Sequence, residues 1–211
     1  MRFLVLILAL FTLANSAPQS AGTVRVRLHT SAGAIVIALD GKRAPKTVAN
    51  FLAYVDDGRL DNTEFYRATR RKSDERFGFI QGGIAQDARR MLPPLVLEPT
   101  NQTGITHQDG TISMAHGINA DAANANFSIM VGPNPGLDAK PGNRGYAAFG
   151  KVISGMDVVK RILALPTGGG RDAMKGQMIL APIKIIRAER LDGVAKPTGR
   201  VKPWLIGPPR G

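Results

Sequence analysis

Two short stretches constrain this chain most: Phe65-Tyr66-Arg67, and Gly78-Phe79-Ile80-Gln81-Gly82-Gly83 further on. Both read as strands, yet each sets a charged or polar side chain among apolar ones. Residues two apart on a strand share a face, so regular strands project Phe65 with Arg67 and Phe79 with Gln81. If the two pair, guanidinium, ring and carboxamide converge on one patch. In the alternative reading Arg67 opens the basic run Arg70, Arg71, Lys72 and lies on a solvated face, as isolated charges mostly do.

The sequence on either side is rich in strands. Val24, Val26 and Leu28 alternate with Arg25, Arg27 and His29, the pattern of a half-buried strand, and residues 35–39 continue after the turn Ser31-Ala32-Gly33 as its hairpin partner. Pro45 opens an amphipathic helix with Val48, Phe51, Leu52 and Val55 on one stripe and Gly58 at its end, suited to capping something apolar. Residues 111–115, 127–131 and 147–152 read as strands, Met156, Val159 and Leu163 mark a second helix, and Ile183-Lys184-Ile185 opens a last strand. The charged piece from Arg70 to Arg76 is expected to loop over solvent, because burying so many charges costs far more than it returns. Residues 84–110, with Pro93-Pro94 and Pro99, read as a long surface connection.

With 211 residues, 44% of them hydrophobic, the chain has room for one domain with a proper core, plus tails. It has no cysteine, which excludes disulfides, thiolate chemistry and cysteine-based zinc sites. A net charge of +12 favours acidic partners without selecting among them. Residues 1–17 read as a signal peptide: Arg2, an apolar run over 3–13, then Ala14-Asn15-Ser16 as small residues for cleavage. The run is too short for a stable membrane helix, so no integral span is expected after cleavage. The mature protein is expected outside the cytoplasm, in the periplasm if the source is Gram-negative. Residues 193–211 form a basic Pro/Gly-rich tail, expected to be disordered. Its Lys196, Arg200, Lys202 and Arg210 are either inert or make weak polyanion contacts.

The stretches Phe65-Tyr66-Arg67 and Phe79-Ile80-Gln81-Gly82-Gly83 resemble the Phe-His-Arg and Phe-Met-x-Gln-Gly-Gly signatures of the cyclophilins, which are peptidyl-prolyl cis/trans isomerases. Ile112-Ser113-Met114-Ala115-His116-Gly117 with Asn126-Phe127-Ser128-Ile129 is similar to that family's Leu-Ser-Met-Ala-Asn-Ala and Gln-Phe-Phe-Ile. A third block, residues 146–152 followed by Gly155-Met156-Asp157-Val158-Val159, resembles the family's last strand and helix. The resemblance covers roughly residues 24–191 and implies a mainly β fold: a closed antiparallel eight-stranded barrel capped by two helices, spanning residues 22–192. It implies no cofactor, proline-containing polypeptides as partners, and a monomer.

It also implies site residues. Arg67 is the catalytic arginine, Phe79 a wall of the proline pocket, Gln81 an orienting amide, and Ala115 with His116 an edge that binds peptide backbone. Asn126 and Ser128 stand on the pocket side, and Leu137 and Tyr146 complete the rim. The departures are Asn126 for glutamine, Ser128 for the phenylalanine that floors the pocket, Gly136 for a tryptophan, and Gly78 for a pocket phenylalanine whose place Phe77 would take after a local shift. These leave a catalytically weak binder of proline-containing segments as the alternative to an isomerase, and a polyanion-binding basic protein as a third reading. His29, His107 and His116 lack metal-ligand spacing, and the chain has no Gly-x-Ser-x-Gly elbow or phosphate-binding Gly-Lys-Ser/Thr loop.

Overall fold

The alternation at residues 24–28 and 35–39 builds strands β1 (Thr23–Thr30) and β2 (Gly33–Asp40), antiparallel, with Val26 opposite Ile37 and Leu28 opposite Ile35. The computed structural model describes residues 22–206. It continues with β3 (Thr63–Arg70), β4 (Gly78–Gly83), β5 (Thr111–Met114), β6 (Phe127–Val131), β7 (Ala147–Ser154), β8 (Thr167–Gly168) and β9 (Met178–Arg190). Pairing runs β1-β2-β7-β5-β6-β4-β3-β9, and β9 pairs back onto β1, so eight antiparallel strands close into the expected barrel. Two-residue β8 only edges β9. Among the described residues closure leaves no long unpaired edge to recruit another chain.

Inside, Val26, Ile37, Leu39, Ile80 and Ile129 are fully buried, and Phe65, Phe127 and Phe149 form an aromatic centre. Helix α1 (Pro45–Asp56) drives Phe51 into it, edge-on to Phe127 with ring centroids 5.4 Å apart. Helix α3 (Met156–Leu163) buries Val158, Val159, Ile162 and Leu163. Val158 packs on Gly33 at the start of β2, whereas α1 follows its end, so the two helices plug opposite ends of the barrel. A further single turn, α2 (Thr100–Thr103), lies in the connection between β4 and β5.

That connection is more than a surface excursion. Leu95, Leu97 and Ile105 are buried, and Leu95 bridges to Ala123. Glu98 supplies the cap that α1 lacks: Ala44 offers no capping side chain, so the Glu98 carboxylate accepts from the Lys46 and Thr47 N–H groups at 3.2 and 2.7 Å. A negative charge there satisfies orphan donors and complements the helix dipole. The prolines mask the apolar spacing at 95 and 97 that holds the segment down.

One expectation about strand faces fails for a local reason. Phe65 pairs with Gly82 and Arg67 with Gln81, leaving Tyr66 as an extra residue in β3. This β-bulge reverses the alternation. Phe65 turns into the core against Phe127, and Arg67 turns outward to face Gln81. Gly82 permits the arrangement, since a Cβ there would meet the Phe65 ring at 2.7 Å. The Arg70–Arg76 piece does loop out, as Lys72, Ser73, Glu75 and Arg76 are exposed. Arg71 ties it to the Pro133 carbonyl, and Arg70 donates to the Leu163 and Leu165 carbonyls at 2.8 and 2.9 Å.

The tail corrects a second expectation. Composition suggests disorder from residue 193, but through residue 206 the chain lies back on the end of α1. Thr198 donates from its N–H and hydroxyl to Asp57 at 2.7 and 2.6 Å, and the Lys196 N–H donates to Asp56 at 2.9 Å. The Trp204 ring lies within reach of two guanidinium groups, 4.7 Å from Arg59 and 5.3 Å from Arg90. Arg59 is 2% exposed and paired with Asp57, so the barrel presents a prepared cationic and acidic seat that tail composition cannot reveal. Residues 1–21 and 207–211, including the whole of the expected signal peptide 1–17, lie outside the described residues; among the described residues no helix is long and apolar enough to cross a membrane. Trp204→Ala is expected to lower the unfolding free energy by about 1–2 kcal/mol, through loss of two cation–π contacts. Urea unfolding measures it, and an unchanged midpoint would show that the tail is not docked.

Candidate active site

The bulge at Tyr66 sets a row of polar side chains across four neighbouring strands. Arg67 on β3 pairs with Gln81 on β4, Gln81 with Ser128 on β6, and Ser128 with Ser113 on β5. At the usual interstrand spacing this row spans roughly 14 Å on the outer face of the barrel. Over it lies a cleft of about 280 Å³ walled by Phe79, Leu137, Tyr146 and the Ala115-His116 edge. Of the residues expected at the site, only Asn126 is absent from its lining.

Arg67 is held from several sides. Its Nη1 donates to Gln81 Oε1 at 2.8 Å, its Nε and Nη2 donate to Gln177 Oε1 at 2.9 and 2.7 Å, and Nη2 also reaches the Ala173 carbonyl at 3.3 Å. These bonds engage four of the five N–H donors of a guanidinium, which leaves one on Nη1. The Phe79 ring lies 5.3 Å from the guanidinium carbon. Burial pushes Arg67 below the usual arginine range, opposed by Tyr66 and Tyr146, yet arginine stays charged across the ordinary pH range.

The hydrogen-bond chain has a direction. Because Gln81 turns its oxygen to Arg67, its NH₂ donates to the Tyr66 hydroxyl at 3.0 Å, and Tyr66 donates onward to Asn126 Oδ1 at 3.3 Å. Burial raises the Tyr66 pKa and keeps the phenol neutral, so it has the proton to donate. Asn126 spends its amide on the backbone of Ala85, accepting from its N–H and donating to its carbonyl, both at 2.8 Å. It anchors the chain beside the cleft instead of lining it. A shorter side chain than the family's glutamine ends at that backbone.

The floor is polar. Ser128 replaces an aromatic ring and is 7% exposed, next to Ser113. Ser113 belongs to a buried array: His107 Nε2 lies 2.7 Å from its Oγ, and His107 Nδ1 lies 2.6 Å from Asp138 Oδ1. Burial lowers the His107 pKa, against the raising influence of Asp138, so the ring is neutral. A carboxylate can only accept, which assigns the imidazole proton to Nδ1 and makes Nε2 the acceptor of the Ser113 hydroxyl. Ser113 is 2% exposed with its hydroxyl turned to His107, so these hydrogen bonds fix the floor of the cleft. At the edge, His116 stacks on Tyr146 at 4.3 Å, and its Nε2 lies 2.9 Å from the Gly145 carbonyl.

Phe77 does not take the place of a pocket phenylalanine. Its ring lies on Gly132, whose added Cβ would meet it at 2.4 Å, and it lines a separate hollow of about 580 Å³ with Leu163 and Ala164. Gly78 adds no side chain, and Gly136 leaves the rim beside Leu137 open. Sequence reasoning missed Gln177, Thr69, and the Ser113-His107-Asp138 array. Ser113 was within reach, since it shares a strand face with Ala115, but Gln177 sits in a glycine-rich loop without periodicity.

Comparison with known proteins agrees with the geometry. A family profile described as "Cyclophilin type peptidyl-prolyl cis-trans isomerase/CLD" matches residues 25–190. The chain is 34% identical over 195 residues to peptidyl-prolyl cis-trans isomerase A of Dickeya dadantii, covering 88% of this chain and 98% of that protein. It is 40% identical over 151 residues to peptidyl-prolyl cis-trans isomerase cyp18 of Streptomyces antibioticus, covering 69% and 87%. A crystal structure of a Cryptosporidium parvum cyclophilin-type isomerase, obtained in the presence of the dipeptide Ala-Pro, superposes with a TM-score of 0.64 at 22% identity over 80% of this chain and 99% of that one, a likeness of fold.

The His107 array makes a pH dependence testable. The unfolded chain protonates His107 near 6.5, while the folded chain does so only at lower pH. Unfolding therefore takes up a proton in that window, and stability falls as pH drops below about 6.5. The urea midpoint is expected to fall more steeply from pH 7.5 to 5.5 in the wild type than in His107→Gln; equal slopes would contradict a buried neutral His107.

Proposed function

This chain belongs to the cyclophilin-type peptidyl-prolyl cis-trans isomerases, and on that premise we propose that Arg67 is its catalytic group and that its substrates are X-Pro bonds in exported polypeptides. The X-Pro bond resists rotation because nitrogen lone-pair resonance with the carbonyl sets a barrier of about 18–20 kcal/mol. In the twisted state the lone pair is localised on nitrogen and can accept a hydrogen bond. A cation that donates there binds the twisted amide better than the planar one, and that difference is catalysis. The observation that supports the role most is the remaining Nη1 donor of Arg67 in a cleft walled by Phe79, since every other N–H of the group is engaged elsewhere.

Phe79, Leu137 and Tyr146 receive the proline ring in this reading, and the Ala115-His116 edge takes peptide backbone. Gln81 holds Arg67 through its oxygen and Tyr66 through one N–H, and its second N–H remains for substrate in this reading. The Ser128 hydroxyl leaves the floor wetter than an aromatic ring would, which weakens ring binding without touching the reacting nitrogen.

Arg67→Ala is expected to lower the catalysed exchange of an Ala-Pro peptide by about 10²–10³-fold, the cost of one preorganised transition-state donor, with peptide affinity nearly intact. Arg71→Ala, on the looped-out insertion, is expected to change it little. NMR exchange spectroscopy measures both, and an Arg67→Ala protein that isomerises like wild type would overturn the assignment. Export rests on the apolar run of residues 3–13 behind Arg2 and on the small residues before Ala17. Mass spectrometry of the mature protein is expected to show an N-terminus near Ala17 or Pro18; material still carrying Met1 would contradict it.

A further inference from the structure

The acceptors around Arg67 are all neutral. They are the side-chain oxygens of Gln81 and Gln177 and the backbone carbonyl of Ala173. Several arginines elsewhere meet carboxylates, Arg25 with Asp192, Arg59 with Asp57, Arg144 with Asp121 and Arg190 with Asp56, whereas Arg70, like Arg67, is held by neutral oxygens. Among the described residues Arg67 makes no such ion pair. A carboxylate would hold a guanidinium equally well, but it would also offset the charge that favours the twisted amide. Neutral amides orient the group and leave its field intact.

Within this cage Gln177 does the most. Its Oε1 accepts from Arg67 Nε and Nη2, which fixes both the position of the fork and its rotation, and from the Thr69 hydroxyl at 2.6 Å. Its own NH₂ is fixed on the Ala173 carbonyl at 3.0 Å. Its backbone carbonyl accepts from the N–H of Ala68, the residue after Arg67, at 3.0 Å, so Gln177 is registered to the strand that carries the arginine. Gln81 alone holds a single nitrogen and would leave the fork free to swing about that bond.

We propose that Gln177 is a positioning residue for the isomerisation: a neutral clamp that turns the one remaining Nη1 donor of Arg67 toward the cleft without neutralising the cation. The inference rests on the catalytic reading of Arg67. It requires two separable properties of Gln177, an acceptor oxygen and the absence of charge.

Two variants of nearly the same size separate them, both studied in the full-length mature protein with an Ala-Pro peptide. Gln177→Met removes the acceptor. It is expected to lower kcat by about tenfold or more, toward the 10²-fold that a misplacement of about 1 Å costs, with KM within about twofold of wild type. In ¹H-¹⁵N spectra the Arg67 Nε–H resonance is expected to exchange slowly with solvent in wild type and to lose that protection in Gln177→Met. Gln177→Glu keeps the acceptor and adds charge; it is expected to keep the resonance protected and still lower kcat. A Gln177→Met protein with wild-type kcat, or with Arg67 Nε–H still protected, overturns the clamp. A Gln177→Glu protein with wild-type kcat overturns the requirement for neutrality. Wild-type protein without exchange activity would defeat the catalytic reading itself, an outcome distinct from wild-type activity that survives Gln177→Met.

Discussion

The site depends on one cation held still without a counter-ion. Charge in a partly buried cleft is costly, and the usual remedy is a carboxylate. Here burial depresses the Arg67 pKa, and neutral oxygens share the compensation instead. Catalysis of bond rotation asks for this arrangement, because no bond is made or broken and the only lever is electrostatic preference for one amide geometry. A mobile or neutralised cation would bind planar and twisted peptides alike.

The rest of the molecule supplies rigidity to that cation. The closed barrel fixes β3 between β4 and β9, so Arg67 is backed by paired strand on both sides. The bulge at Tyr66 selects which face it occupies, and the displaced tyrosine becomes the next member of the hydrogen-bond chain between Gln81 and Asn126. Under the row, Phe65 and Phe127 pack edge to face at 5.7 Å, which ties the site strands to the core that α1 plugs. The neutral His107 between Asp138 and Ser113 performs the same task for the floor, linking the loop after Leu137 to mid-sheet.

Much of the architecture was legible in the sequence where local pattern and burial coincide. The alternation of Val26 and Leu28 with Arg25 and Arg27, and the stripe of Val48, Phe51, Leu52 and Val55, each became the element they describe. What escaped was set by distant partners. An extra residue at Tyr66 leaves no mark on composition, so alternation put Phe65 and Arg67 on one face when register puts them on two. Gln177 meets Arg67 across 110 residues, from a loop whose glycines say only that it turns. Thr198 and Trp204 look like an unstructured tail until Asp57, Arg59 and Arg90 are in place to receive them. Asn126 kept its place in the motif, but one methylene fewer than glutamine leaves its amide on Ala85.

The demand for a fixed fork, beyond a positive charge, is tested most directly by Arg67→Lys, which keeps the charge on a flexible stem and loses the planar donors that Gln81 and Gln177 grip. Exchange spectroscopy of an Ala-Pro peptide at saturating concentration is expected to give a rate between those of wild type and Arg67→Ala. A lysine protein that turns over as fast as wild type would contradict it, since charge alone would then suffice and the cage around Arg67 would have no part in the chemistry.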